Sequence, residues 1–123
     1  METPKIFESE YRFCLILWEN EPIKSSDLAK LCEEKLKWKK STTFTVIKRL
    51  TNRGVIKNEN SIVNSLISKD QVQAAESRDI VERTFEGSLP LFISAFTKEK
   101  SLTFEEVESI KRMIKNYEEE NND

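Results

Sequence analysis

Histidine is absent from this chain of 123 residues, and the residues that punctuate or cross-link a fold are scarce: two glycines, three prolines and two cysteines. Each shortage removes a class of protein. Without histidine the commonest general base and metal ligand is missing. Cys14 and Cys32 lie in separate helical patterns with no CxxC pair, and a structural zinc site needs more ligands than these. They read as small buried hydrophobes of a reducing cytosol. No glycine-rich phosphate loop is present, and no Ser or Cys has a plausible base beside it. The sequence therefore predicts no enzyme, no metal and no cofactor. Carboxylates are plentiful, but they are expected at exposed helix positions, serving solubility and the helix dipole. With so few Gly and Pro there are too few turn signals for an all-β fold. The longest apolar stretch, Phe13 to Trp18, is far too short to span a bilayer, and the opening METPKIFESE lacks the apolar run of a signal peptide. The expectation is a cytoplasmic protein with no membrane partner.

Acidic residues are missing from one particular place. Between Lys35 and Asn58 there are eight Lys/Arg (Lys35, Lys37, Lys39, Lys40, Lys48, Arg49, Arg53 and Lys57) and no Asp or Glu. The formal charge of the whole is −2, so the remaining 99 residues carry −10. A positive face on an acidic body draws a polyanion to one spot and repels it elsewhere. The bland reading of such a run is a solvated face. Its position on a helix that opens with Ser and Thr points instead to a helix that enters a nucleic-acid groove.

A chain of this length buries roughly 60–70% of its unfolded surface, enough for a modest core. Hydrophobic periodicity predicts a first helix over 8–19, with Glu8 and Glu10 in its first turn. Ile23-Lys24 is a short strand after Pro22. A second helix follows, capped by Ser25 or Ser26, with Leu28, Leu31 and Cys32 on one face. The third helix runs from a Ser41 cap to Arg53 and is stopped by Gly54. Val55-Ile56 and 62–67 read as strands around an Asn58–Ser61 turn. Three helices and then a β-hairpin is the order of a winged helix-turn-helix. Ser68 caps a fourth helix reaching Phe85 or Glu86, and a fifth covers 89–98. Thr103 with Glu106 forms a capping box for the last helix, whose residues after Glu118 should fray. The fold class is thus mainly α with a small β-hairpin. A winged-helix DNA-binding domain covers 1–68, and a C-terminal helical dimerisation region covers 69–123. The apolar residues of that region, Leu89, Phe92, Ile93, Phe96, Val107, Ile110 and Ile114, are the candidate dimer contacts, the last three with Tyr117 in a heptad-like seam.

At 100° per residue, Thr43, Val46, Ile47 and Leu50 fall on the inward side of the third helix. Ser41, Thr45, Lys48 and Asn52 lie opposite, Thr42 and Arg49 flank one edge, and Phe44 flanks the other. Short hydroxyls allow close approach to base edges. Lys39 and Lys40 precede the helix at its positive end, where a phosphate oxygen sits well. Arg49 and Arg53 are placed to reach the flanking phosphates. Candidate DNA-binding residues are therefore Lys39, Lys40, Ser41, Thr42, Phe44, Thr45, Lys48, Arg49 and Arg53. Lys40 and Arg53 are expected to act on all sequences alike, and Thr45 on sequence preference. Phe44 has two readings: contact with a thymine methyl, or packing on Trp38 or the first helix.

The order and spacing of SEYRFCLILWEN, Trp38, Ser41-Thr42, Thr45, Arg49-Leu50, Gly54, EGSLPLFISAF and LTFEEVESIKRMI resemble the penicillinase-repressor family of winged-helix regulators over nearly the whole chain. The resemblance implies a homodimeric repressor that binds a palindromic double-stranded DNA operator, here of antibiotic-resistance type genes, with its C-terminal helices interlocked. It also implies a regulatory protease or sensor as partner. The β-lactamase regulators of the family are cut before a Phe in the fifth helix, after an Asn; the matching bond here is Ala95-Phe96, where the Phe remains and the Asn does not. The chain has Lys40 where many members have Pro, and Phe44 where many have Arg. Its wing is about four residues shorter and lacks the usual Gly, Arg and Tyr. The C-terminal Cys-x-Cys pair of the copper-responsive branch is missing. The alternative is a winged-helix module that binds protein rather than specific DNA.

Overall fold

A computed structural model describes residues 3–122. The described residues form six helices and three short strands: α1 (Glu8–Asn20), β1 (Ile23–Lys24), α2 (Ser25–Leu36), α3 (Lys40–Asn52), β2 (Ile56–Glu59), β3 (Ile62–Ser65), α4 (Lys69–Thr84), α5 (Leu89–Glu99) and α6 (Phe104–Asn121). The chain divides into two compact units, one ending at Asp79 and the other beginning at Ile80, within α4.

In the first unit the buried faces of α1, α2 and α3 meet. Phe13 and Leu17 of α1, Leu28 and Cys32 of α2, and Val46, Ile47 and Leu50 of α3 form one core with Val55, Ile56 and Val63 of the sheet. Trp38, in the turn before α3, stacks on Phe13 with ring centroids 6.2 Å apart and planes 6° from parallel. α2 ends because Lys37 takes the left-handed conformation (φ 61°), which turns the chain toward α3. Neither α2 nor α3 has the serine cap expected from sequence. α2 begins at Ser25 itself, whose N–H is taken by the Ser61 carbonyl at 2.8 Å. α3 begins one residue before Ser41, with Lys39 at its cap and no side-chain cap bond.

The sheet has order β1-β3-β2, all antiparallel, so the isolated strand expected at 23–24 is an edge of the wing sheet. Asn60 and Ser61, both at positive φ (52° and 65°), make a two-residue turn tighter than the Asn58–Ser61 turn expected. The strands are correspondingly shifted. Val55 belongs to the α3 exit, its N–H bonding the Leu50 carbonyl, while its own carbonyl takes the N–H groups of Leu66 and Ile67. Further bonds from two residues, Glu21 and Trp18, fix the base of the wing to the α1 end. The Glu21 carboxylate accepts from the Ser65 N–H (2.7 Å) and hydroxyl (2.8 Å). Trp18 Nε1 donates to the Ile67 carbonyl at 3.0 Å.

Ser68 and Gln71 cap α4 reciprocally, side chain to backbone in both directions. In the second unit α4 is closed by Gly87 (φ 79°), whose N–H returns to the Val81 carbonyl. Ser88 caps α5 and Thr103 caps α6, the latter with Glu106 as expected. The last helix continues to Asn121, past the point where fraying is expected; the Asn121 amide donates to the Tyr117 carbonyl. Phe85, Phe92 and Phe96 form a short aromatic row with successive centroid distances of 5.3 and 6.3 Å. No residue of α5 or α6 is buried. Among the described residues no helix is long and apolar enough to cross a membrane.

Candidate nucleic-acid interface

The amphipathic repeat of α3 positions the surface. Thr43, Val46, Ile47 and Leu50 are buried, while Ser41, Thr42, Phe44, Thr45, Lys48, Arg49 and Asn52 are exposed. Thr43 turns its hydroxyl inward, where it has no conventional partner and faces the Cys32 thiol. That thiol and Cys14 are both buried. Burial, with Glu10 nearby, pushes the Cys14 pKa up to about 12, so neither is a ready nucleophile.

The outward row is polar and short. Thr45 Oγ1 donates to the Ser41 carbonyl at 2.9 Å, which holds its rotamer and leaves its oxygen lone pairs outward. Lys39, Lys40 and Lys48 surround this row, and among the described residues none of them meets a carboxylate. Three uncompensated cations around a hydroxyl surface form a local positive field that solvent alone balances.

The two arginines behave differently. Glu10 from α1 is 1% exposed and accepts from both: Arg49 Nε at 2.9 Å, Arg53 Nη2 at 2.9 Å and Arg53 Nη1 at 3.2 Å. The Phe7 N–H completes the carboxylate's shell at 3.0 Å. Arg53 also donates to the Lys5 carbonyl (2.6 Å) and lies over the Phe7 ring. Burial alone raises the Glu10 pKa. The Phe7 N–H and the two guanidiniums outweigh it, so the group titrates below its ordinary 4.5. Glu10 was expected only to complement the α1 dipole. It is instead the bracket that ties one edge of α3 to α1. Arg53, expected at the DNA backbone, has its guanidinium largely committed inside the protein. Arg49 meets Glu10 through Nε, and it lines a shallow recess of about 240 Å³ together with Phe7, Ser9, Glu10 and Arg53. A separation of 39 and 43 residues hides this cluster from any local pattern. The one legible sign was a carboxylate in α1 against two arginines spaced i,i+4 on α3.

The opposite edge of α3 carries Phe44, 43% exposed. Trp38, a partner offered for it by sequence, is taken by Phe13. In the wing, Lys57 and Glu59 approach each other at 3.8 Å on the exposed surface, which partly offsets the one basic residue there.

A winged helix whose third helix is bordered by lysines without an ion-pair partner among the described residues suits a nucleic-acid-binding regulator. The model of the penicillinase repressor family matches residues 6–116. The chain belongs to the penicillinase repressor family. As a member it is a DNA-binding transcriptional repressor, and the matched span runs from the residue before Phe7 through most of α6. No curated protein matches the chain.

Proposed function

We propose that the repressor acts as a homodimer on an inverted-repeat operator, each copy laying α3 in a major groove. The carrying observation is the outward row Ser41, Thr45, Lys48 and Asn52, bordered by Lys39 and Lys40, which no acid among the described residues neutralises. Lys39, Lys40 and Lys48 meet phosphates and supply affinity; the hydroxyls and Asn52 meet base edges and supply preference. Thr42 and Arg49 serve the adjoining strand. The apolar residues of α5 and α6 supply the dimer contact: exposed Leu89, Ile93 and Phe96 with half-buried Phe92 on one helix, exposed Ile110 and Ile114 with half-buried Val107 on the other. Leu91, Phe104, Met113 and Tyr117 are exposed as well and enlarge that surface. A twofold axis then spaces the half-sites by about one helical turn, roughly 10 bp, or a multiple.

Release from DNA by proteolysis at Ala95-Phe96 has a structural condition. The bond lies inside α5, so a protease that takes an extended peptide must first unwind that helix.

The test is selection of duplex DNA by the full-length protein, with affinity followed against salt and mass by sedimentation. An enriched inverted repeat, a dimer mass and steep salt dependence support the reading; Lys48→Ala should lower the salt slope by about 1. Flat, unselective binding overturns it and leaves a protein-docking winged helix.

A further inference from the structure

Phe44 is the one large apolar side chain that α3 exposes. Its ring stands 43% accessible on the edge of the helix away from Glu10. Lys40 lies one turn before it and Lys48 one turn after it, and neither lysine has an ion-pair partner among the described residues. The ring makes none of the aromatic contacts that gather Tyr11 with Trp18 and Phe13 with Trp38. An exposed phenyl group between two free cations, on the helix that carries the base-reading row, matches a ligand surface of the same layout. Such a surface has a small apolar projection with an anion on either side. On the major-groove edge of DNA only one group is apolar, the C5 methyl of thymine, and phosphates flank it along both strands.

We propose that Phe44 is a specificity-determining residue that reads a pyrimidine C5 methyl group in each half-site. The reading rests on the proposed operator binding, and it adds the chemical class of base that the α3 edge accepts. Thymine satisfies it, and 5-methylcytosine satisfies it equally, because the ring senses the methyl and not the exocyclic groups.

The experiment uses the full-length protein and the duplex it selects, with deoxyuridine replacing each thymine of the half-site in turn. Uracil keeps every hydrogen-bonding group and removes only the methyl. At one position per half-site the loss should be about fourfold, the order expected for exposing one methyl group. At that position in a cytosine-substituted site, 5-methylation should restore binding by a similar factor. Phe44→Ala should bind thymine and uracil duplexes equally, with its affinity for the thymine duplex lowered by about the same fourfold; Phe44→Leu should keep part of the difference. An exposed ring leaves the core intact, and unchanged thermal unfolding of both variants checks this. Uracil without effect at every position, or a thymine preference that survives Phe44→Ala, overturns the proposal and leaves operator binding standing. Failure to select any sequence overturns both.

Discussion

The two units of this repressor treat their apolar side chains in opposite ways. In the unit ending at Asp79, Phe13, Leu17, Leu28 and Leu50 are wholly enclosed between three helices and a sheet. In the unit beginning at Ile80, α5 and α6 bury nothing, and Leu89, Ile93, Phe96 and Ile114 are each at least 45% exposed. Hydrophobic composition does not separate them: α5 alone has Leu, Phe, Ile and Ala at six of eleven positions. What separates them is geometry. Three helices crossing a sheet can enclose a core within one copy, whereas α5 and α6 have no second layer to cover them. Exposed apolar area on this scale is the mark of an interaction surface, and the proposed second copy supplies the missing layer.

The most severe way to break the comparison is to open the enclosed unit at its polar bracket. Glu10→Ala removes the shared carboxylate from Arg49 and Arg53, whose side chains are partly solvated, and urea denaturation of that unit should register a loss of about 1–3 kcal/mol. A loss below about 1 kcal/mol would mean that water already compensates the pair. Glu10→Gln gives the pH arm. The Glu10 pKa is depressed on folding, so its contribution is present above about 4.5 and fades as pH falls through the lower folded value. Wild type should therefore lose stability on acidification more steeply than Glu10→Gln, and parallel acid limbs would contradict the assignment. Arg53→Ala should likewise reduce stability more than it reduces DNA affinity.

Ile114→Asp attacks the open unit. It should leave the first transition almost unmoved while weakening self-association by about thirtyfold or more, the size of an interface hot spot. Sedimentation equilibrium reads this directly, and an unchanged mass would point the apolar surface at another partner. A smaller effect is expected at the seam between wing and α1. Ser65→Ala removes a hydroxyl from the Glu21 carboxylate but spares the backbone bond, costing about 1–2 kcal/mol in the same denaturation experiment. Smallest is Thr103→Ala, which loses the α6 cap at about 1 kcal/mol. Circular dichroism should show that loss more clearly in the Ile114→Asp background, where no partner steadies the helix.

Legibility in the sequence followed the range of the interaction. The inward face of α3, the Ser68 cap, the Gly54 stop and the Thr103–Glu106 box were readable because each is written within four or so residues. The winged-helix order was readable because it is a succession of such local signals. The serine cap of α2 failed because a tertiary bond, Ser25 N–H to the Ser61 carbonyl, replaced the local one, and that of α3 failed because the helix starts a residue early, with the Thr42 and Thr43 N–H groups on the Lys39 carbonyl. The two-residue turn was missed because Asn60-Ser61 adopts positive φ without a glycine to announce it. Glu10 was missed for the plainest reason. A first-turn glutamate looks the same whether it faces water or two arginines forty residues away.

The Glu10 bracket has a consequence for how such a repressor changes over generations. One edge of α3 is tied to α1 and its inner face is set in the core, so the pose of the helix does not depend on Ser41, Thr45, Lys48 or Asn52. Those four positions are free to vary without unfolding anything. Under the proposed operator reading, a lineage retargets by drift along that row, and an engineer can transplant another row onto the same helix, provided Glu10, Arg49 and Arg53 travel together.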